Sequence, residues 1–274
     1  MSHQLTDLVR LMACLRDPEH GCPWDRTQTY RSIVPFTLEE AYEVSDVIER
    51  GKFDELCAEL GDLLFQVVFY ARLAEEDGRF TLEDVIDAIV SKLLTRHPHV
   101  FPDATLQSFG DSEGASVQSI KQTWEAKKAE ERASRGQFEL FDDVPLGLPA
   151  LSRAQKIQKR ALRVGFDWSS IAGVFEKIDE ELVELRNARA HENSAAIQEE
   201  YGDLLFTIVS LGRHLRLDSE QALRLATQKF ESRIDTVNRL AKAQGIDLAT
   251  ATDNEKNGLW DHAKALYTWS DLRD

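Results

Sequence analysis

Glu59-Leu60-Gly61-Asp62-Leu63-Leu64-Phe65-Gln66-Val67-Val68 is the stretch from which the fold follows. Leu60, Leu63, Leu64, Val67 and Val68 stand at i, i+3, i+4, i+7 and i+8, the spacing that lines one face of an α-helix. Glu59 lies about 40° from Leu63 on a helical wheel, at the margin of that face and not opposite it. Another acidic run, Glu39-Glu40-Ala41-Tyr42-Glu43, precedes it, with fifteen residues between Glu43 and Glu59. The whole pattern then recurs 141 residues later. Glu180-Glu181-Leu182-Val183-Glu184 is followed, after the same fifteen residues, by Glu200-Tyr201-Gly202-Asp203-Leu204-Leu205-Phe206. Leu204, Leu205, Ile208 and Val209 repeat the apolar stripe.

Working outward, the periodicity is helical nearly throughout and strand-like alternation is scarce, which predicts an all-α protein. Thr37 before Glu39-Glu40 and Thr81 before Glu83-Asp84 read as helix N-caps with acidic first turns. Beyond the acids, Lys92 and Arg96 align with Lys229 and Arg233, and Trp124-Glu125 with Trp260-Asp261. Internal duplication at this scale predicts two tandem helical repeats. Residues 1–130 form the first and 151–274 the second. Residues 131–150, with Gly136, Pro145, Gly147 and Pro149 and little periodicity, form the linker. Each repeat is expected to be an antiparallel helical bundle, completed by packing of repeat on repeat and chain on chain.

Composition narrows the function. The 274 residues carry a net charge of −15, with 30% charged and 42% hydrophobic residues. That balance argues against nucleic-acid binding, which asks for a basic stripe. Cys14, Cys22 and Cys57 form no CxxC pair and read as free thiols in a reducing compartment. No apolar run reaches the ~18 residues of a membrane span, and the first apolar stretch, Leu8 to Leu15, is preceded by Asp7 and interrupted by Arg10. A cytoplasmic protein without membrane partners is expected.

On adjacent helices, Glu40, Glu43, Glu59 and Asp62 would converge at one seam, and Glu181, Glu184, Glu200 and Asp203 at another. Uncompensated, such charges repel and some hold protons. A hard divalent cation resolves the conflict, and an all-oxygen set favours Mg²⁺, or Mn²⁺ in its place, over Zn²⁺. A solvated acidic helix face is the plain alternative for a single EExxE, but the duplicated pattern is far more specific. A di-iron bundle would need Glu-x-x-His, and none of the seven histidines has a Glu three residues before it. Lys229 and Arg233, four residues apart, can hold phosphate oxygens that the metal leaves unneutralised. Trp124 and Trp260 are core residues or platforms for a nucleobase. His97-Pro98-His99 and Gly21-Cys22-Pro23-Trp24-Asp25 read as structural, the latter as a turn after the first helix. A non-catalytic acidic adaptor that docks basic partners is the rival reading; it leaves the matched Lys/Arg pairs and Trp positions unexplained.

The paired EExxE and ExxD runs, Arg96-His97-Pro98-His99-Val100-Phe101, Gly21-Cys22-Pro23-Trp24-Asp25, the stretch Ala154–Arg160 and Val164-Gly165-Phe166-Asp167-Trp168 together resemble the two-domain bacterial MazG nucleoside triphosphate pyrophosphohydrolases. The resemblance spans essentially the whole chain. It implies an all-α homodimer and Mg²⁺-dependent hydrolysis of NTPs and dNTPs to the monophosphate and pyrophosphate. Broad base tolerance and a role in nucleotide-pool cleansing or stress response are also implied. By motif, Glu181, Glu184, Glu200 and Asp203 correspond to metal ligands and catalytic acids. Lys177, Glu180, Glu181, Asp203, Lys229, Arg233 and Trp260 correspond to nucleotide contacts. Glu40, Glu43, Glu59 and Asp62 make a second, weaker candidate metal site. The C-terminal domain is the one expected to be active, and Phe36 stands in the first copy where Lys177 stands in the second. Ala196 occupies a position where relatives can carry a Lys, which removes one expected substrate contact.

Overall fold

In a computed structural model, the described residues are 2–110, 116, 118–120, 123–124, 127 and 139–266. They are mainly helical, with no strand among them. The chain divides into two compact units, Met1–Lys128 and Ala129–Asp274. Glu125 and residues 131–138 of the expected linker lie outside the described residues. The remainder of that stretch is tied to the C-terminal unit: Val144 is buried, and Asp143 pairs with Arg160.

The first unit contains α1 (Leu5–Leu15), α2 (Pro23–Thr27), α3 (Tyr30–Glu49), α4 (Leu56–Glu76) and α5 (Leu82–Arg96), then a 3₁₀ turn at Leu106–Ser108. Helix α4 is its centre, packing against α1, α3 and α5. Met12, Ile33, Val68, Phe69, Ala71, Leu73 and Leu82 form the core, flanked by Phe36, Phe65 and Tyr70. Gly51, with φ +66°, closes α3 in the left-handed region, and Lys52 N–H bonds back to the Val47 carbonyl at 3.0 Å. That closure turns the chain sharply from α3 into α4 and sets the two acidic runs facing one another.

Three local expectations are corrected. The N-cap of α3 is Thr29, not Thr37: the Thr29 hydroxyl accepts from Ser32 N–H, and the Ser32 hydroxyl accepts from Thr29 N–H. Thr37 lies inside the helix and donates to the Ile33 carbonyl. Pro35 sits within the same helix, so the chain gives up one backbone bond and does not start the helix later. The turn at 21–25 includes a short helix, α2, begun by Pro23. Gly21 is required just before it, since a Cβ there would lie 2.5 Å from the Asp17 and Leu15 carbonyl oxygens. The apolar stripe on α4 also divides. Val68 is buried with Phe69, while Leu60, Leu64 and Val67 remain exposed. Thr81, by contrast, caps α5 as read, accepting from Asp84 N–H.

The second unit contains α6 (Ala150–Arg163), α7 (Ile171–Ala190), α8 (Ser194–His214), α9 (Ser219–Ala243) and α10 (Asp253–Leu266). The packing repeats that of the first unit: α8 meets α6, α7 and α9 as α4 meets α1, α3 and α5. Ser170, Asn193 and Asp218 cap α7, α8 and α9 through their side-chain oxygens. Gln158 reaches from α6 to the Phe206 carbonyl at 2.8 Å, and Gln155 to the Leu217 carbonyl at 2.9 Å. Val237, Ala241, Leu259 and Ala263 close the α9–α10 seam. No helix among the described residues is long and apolar enough to cross a membrane.

An ion-pair cluster anchors α1 to the end of α4. Arg16, its side chain 8% exposed, donates to Glu76 at 2.7 Å, and Arg72 adds a second bond at 2.8 Å. These guanidiniums hold the Glu76 carboxyl below the usual range. A depressed folded-state pKa contributes stability above the unfolded carboxylate pKa of about 4.3 and loses it as the pH falls through the folded value. In urea denaturation of the full chain, the advantage over Glu76→Gln is therefore expected to be complete at pH 6 and to shrink below about pH 4. An advantage independent of pH would contradict the assignment.

Candidate active site

In the second unit, the acids of residues 180–184 lie on α7 and those of residues 200–203 on α8, the two helices of one hairpin. Glu181 and Glu184 are three residues apart on α7, so they share a face and meet Glu200 across the seam. One carboxylate oxygen from each of these three residues lies within 4.8 Å of the others. Asp203, one turn beyond Glu200, is exposed and stands outside that mutual group. Its charge is nevertheless felt there. Partial burial raises the Glu200 pKa first, and the charges of Glu184, Glu181, Glu199 and Asp203 raise it further.

Glu181 differs from its neighbours by being 4% exposed. One of its oxygens accepts from Lys177 Nζ at 2.9 Å, and its Oε2 is buried with no hydrogen-bond partner among the described residues. An orphaned carboxylate oxygen is costly in a folded interior. Set beside two further carboxylates, it fits a hard cation. The all-oxygen donor set suits Mg²⁺ or Mn²⁺.

Lys177 also holds Glu180, at 2.8 Å, and these two acids raise its pKa. Its spacing from Glu180 and Glu181, i+3 and i+4, is that of a helix ion pair. The family resemblance implies a nucleotide role for Lys177; the ion pairs with Glu180 and Glu181 are a further feature, whose signal is the i, i+3 and i, i+4 spacing.

The first copy is built the same way on α3 and α4, where Glu40, Glu43 and Glu59 bring oxygens within 4.8 Å of one another. Burial first, then the charges of Asp62 and Glu43, raises the Glu40 pKa. Asp62, like Asp203, is exposed and outside the group. Phe36, at the position of Lys177, is packed against the core with its ring 5.5 Å from Trp24. This acidic group therefore has no ammonium at that position.

The basic residues lie on other helices. On α9 and α10, the Arg233 guanidinium sits 5.8 Å from the centre of the Trp260 ring, and Phe230 packs 5.6 Å from the same ring. Trp260 is thus part of the α9–α10 packing, with Lys229 one turn before Arg233. In the first unit Trp124 meets His97 edge-on at 5.6 Å, while Lys92 and Arg96 lie on α5.

Residues 28–101 and 170–238 match the profile of the MazG nucleotide pyrophosphohydrolase domain. The chain is 46% identical over 266 residues to a nucleoside triphosphate pyrophosphohydrolase of Escherichia coli (strain K12), covering 96% of this chain and 97% of that protein. It is 44% identical over 258 residues to the nucleoside triphosphate pyrophosphohydrolase/pyrophosphatase MazG of Thermotoga maritima, covering 94% of each. A nucleoside triphosphate pyrophosphohydrolase of Mycobacterium tuberculosis is 40% identical over 164 residues, 59% of this chain and 46% of that protein.

Proposed function

The chain belongs to the MazG nucleotide pyrophosphohydrolase family, and from that premise we propose that it hydrolyses nucleoside triphosphates to the monophosphate and pyrophosphate at the α7–α8 seam. The observation that carries the assignment to this seam is the buried, unpartnered Oε2 of Glu181 beside Glu184 and Glu200. Those three residues would hold the divalent cation, with Asp203 adjacent. When bound, Mg²⁺ supplies positive charge that neutralises the acids and binds phosphate oxygens. Lys177 offers its ammonium to a phosphate oxygen, and Lys229 and Arg233 supply further cations. A site carboxylate orients the attacking water by accepting its hydrogen bond and takes up the proton that the water releases as it attacks. A bond forms from the water oxygen to the α-phosphorus, and the bridging α–β bond breaks. The leaving group is pyrophosphate.

Mg²⁺ dependence, tolerance of different bases in ribo- and deoxynucleotides, cleansing of the nucleotide pool and a cytoplasmic setting belong to the same proposal. So does a homodimer, supported by the exposed apolar residues Leu64 and Val67 on α4 and Leu205 and Ile208 on α8. The names of the relatives and the Lys177 pairing favour the enzyme over the acidic adaptor. Product analysis tests the bond assignment. With ATP and Mg²⁺ the expected products are AMP and pyrophosphate; ADP and orthophosphate would overturn it.

A further inference from the structure

We infer that Lys177 is a built-in competitor of the divalent cation, holding down the metal affinity of the α7–α8 seam while no nucleotide is bound. This rests on the metal reading above and adds to it a control on occupancy. Lys177 Nζ lies 2.9 Å from one oxygen of Glu181 and 2.8 Å from Glu180. Glu181 is the most buried of the three acids and so the one least screened by water. An ammonium already bound to that carboxylate must be repelled or displaced by an arriving cation.

The geometry lets it move. The Lys177 side chain is 33% exposed on a flexible four-carbon stem, and Glu180 is 58% exposed beside it. Lys177 can therefore keep Glu180 while leaving Glu181, so displacement costs one ion pair and not two. The same ammonium already touches one of the metal ligands, placed to pass from Glu181 to an incoming phosphate. The first copy provides an internal contrast. Its three acids have the same grouping, but Phe36 replaces the lysine and packs into the core.

The test is Mn²⁺ binding to the full chain without nucleotide, followed by the electron paramagnetic resonance signal of free Mn²⁺. A Glu43→Gln background removes one acid of the first group, and the same background in every chain makes the comparison report the second. Lys177→Met in that background is expected to bind Mn²⁺ about fivefold more tightly, the scale of one partly exposed ion pair. Lys177→Arg, which keeps the charge, should stay near the Lys177 value. Equal or weaker binding by Lys177→Met overturns the competitor role and leaves the metal site intact. Absence of saturable Mn²⁺ binding in every chain overturns the metal reading and the competitor together.

Discussion

Glu184→Gln is expected to lower turnover at least about a hundredfold without lowering stability. A bound divalent cation supplies several kcal/mol of charge stabilisation, and each 1.36 kcal/mol is about tenfold in rate. The substitution keeps the shape of the side chain and removes the charge that a hard cation selects. Glu184 is the cleaner choice than Glu181 because it is exposed, whereas Glu181 is buried and bound to Lys177. Replacing Glu181 would alter packing, ion pairing and metal binding at once. For Glu184→Gln the unfolding free energy should stay within about 0.5 kcal/mol of wild type, as for ordinary surface changes. Glu176→Gln, the same charge change on an exposed residue of the same helix, is the control and should leave turnover unaltered. Glu43→Gln should cost less than Glu184→Gln, since the first acidic group has Phe36 in place of the lysine. Full activity in Glu184→Gln would remove the residue from the metal site and undo the chemistry assigned to this seam.

The helices and the carboxylate groups were legible because both depend on spacing within a single segment. The 3.6-residue period is local, and acids at i and i+3 share a face wherever that helix packs. What spacing could not fix was which neighbour each face meets. Leu204 and Val209 turn inward on α8, while Leu205 and Ile208 of the same stripe stay exposed. Thr37 misled because acids follow it. The competing pair Thr29–Ser32 satisfies two helix N-termini donors reciprocally and starts the helix eight residues earlier. By spacing Asp203 is the equal of Glu200, yet among the described residues it is Glu200 that brings an oxygen into the mutual group with Glu181 and Glu184. One helical turn moves a short Asp side chain out of reach of what a longer Glu can touch.

Asp167→Ala is the second large effect expected, a loss of about 3 kcal/mol of stability, the range for stranding one partner of a nearly buried pair. Asp167 lies in the segment between α6 and α7, and Arg213 in the last turn of α8, 46 positions away. Their side chains are 13% and 10% exposed, and Arg213 donates to Asp167 through both terminal nitrogens, one of these bonds at 2.8 Å. His214 approaches the same carboxylate at 3.3 Å, and the Trp168 N–H donates to it at 2.9 Å. The Asp167 pKa is held below the usual range chiefly by the Arg213 hydrogen bonds. Removing the carboxylate takes away the counter-charge that Arg213 pairs with, and the Arg213 Nε is already buried without a partner among the described residues. Arg213→Met together with Asp167→Ala should recover much of the loss, because the penalty comes from the stranded charge and not from the missing bond. Urea midpoints measured in metal-free buffer check this, since cation binding would add its own stabilisation to the folded state. A single-variant cost below about 1 kcal/mol would mean that the pair behaves as a solvated surface bridge. The expected cost, if found, places this clasp among the forces holding α8 to the segment that leads into α7. Those are the two helices whose acids form the candidate metal site.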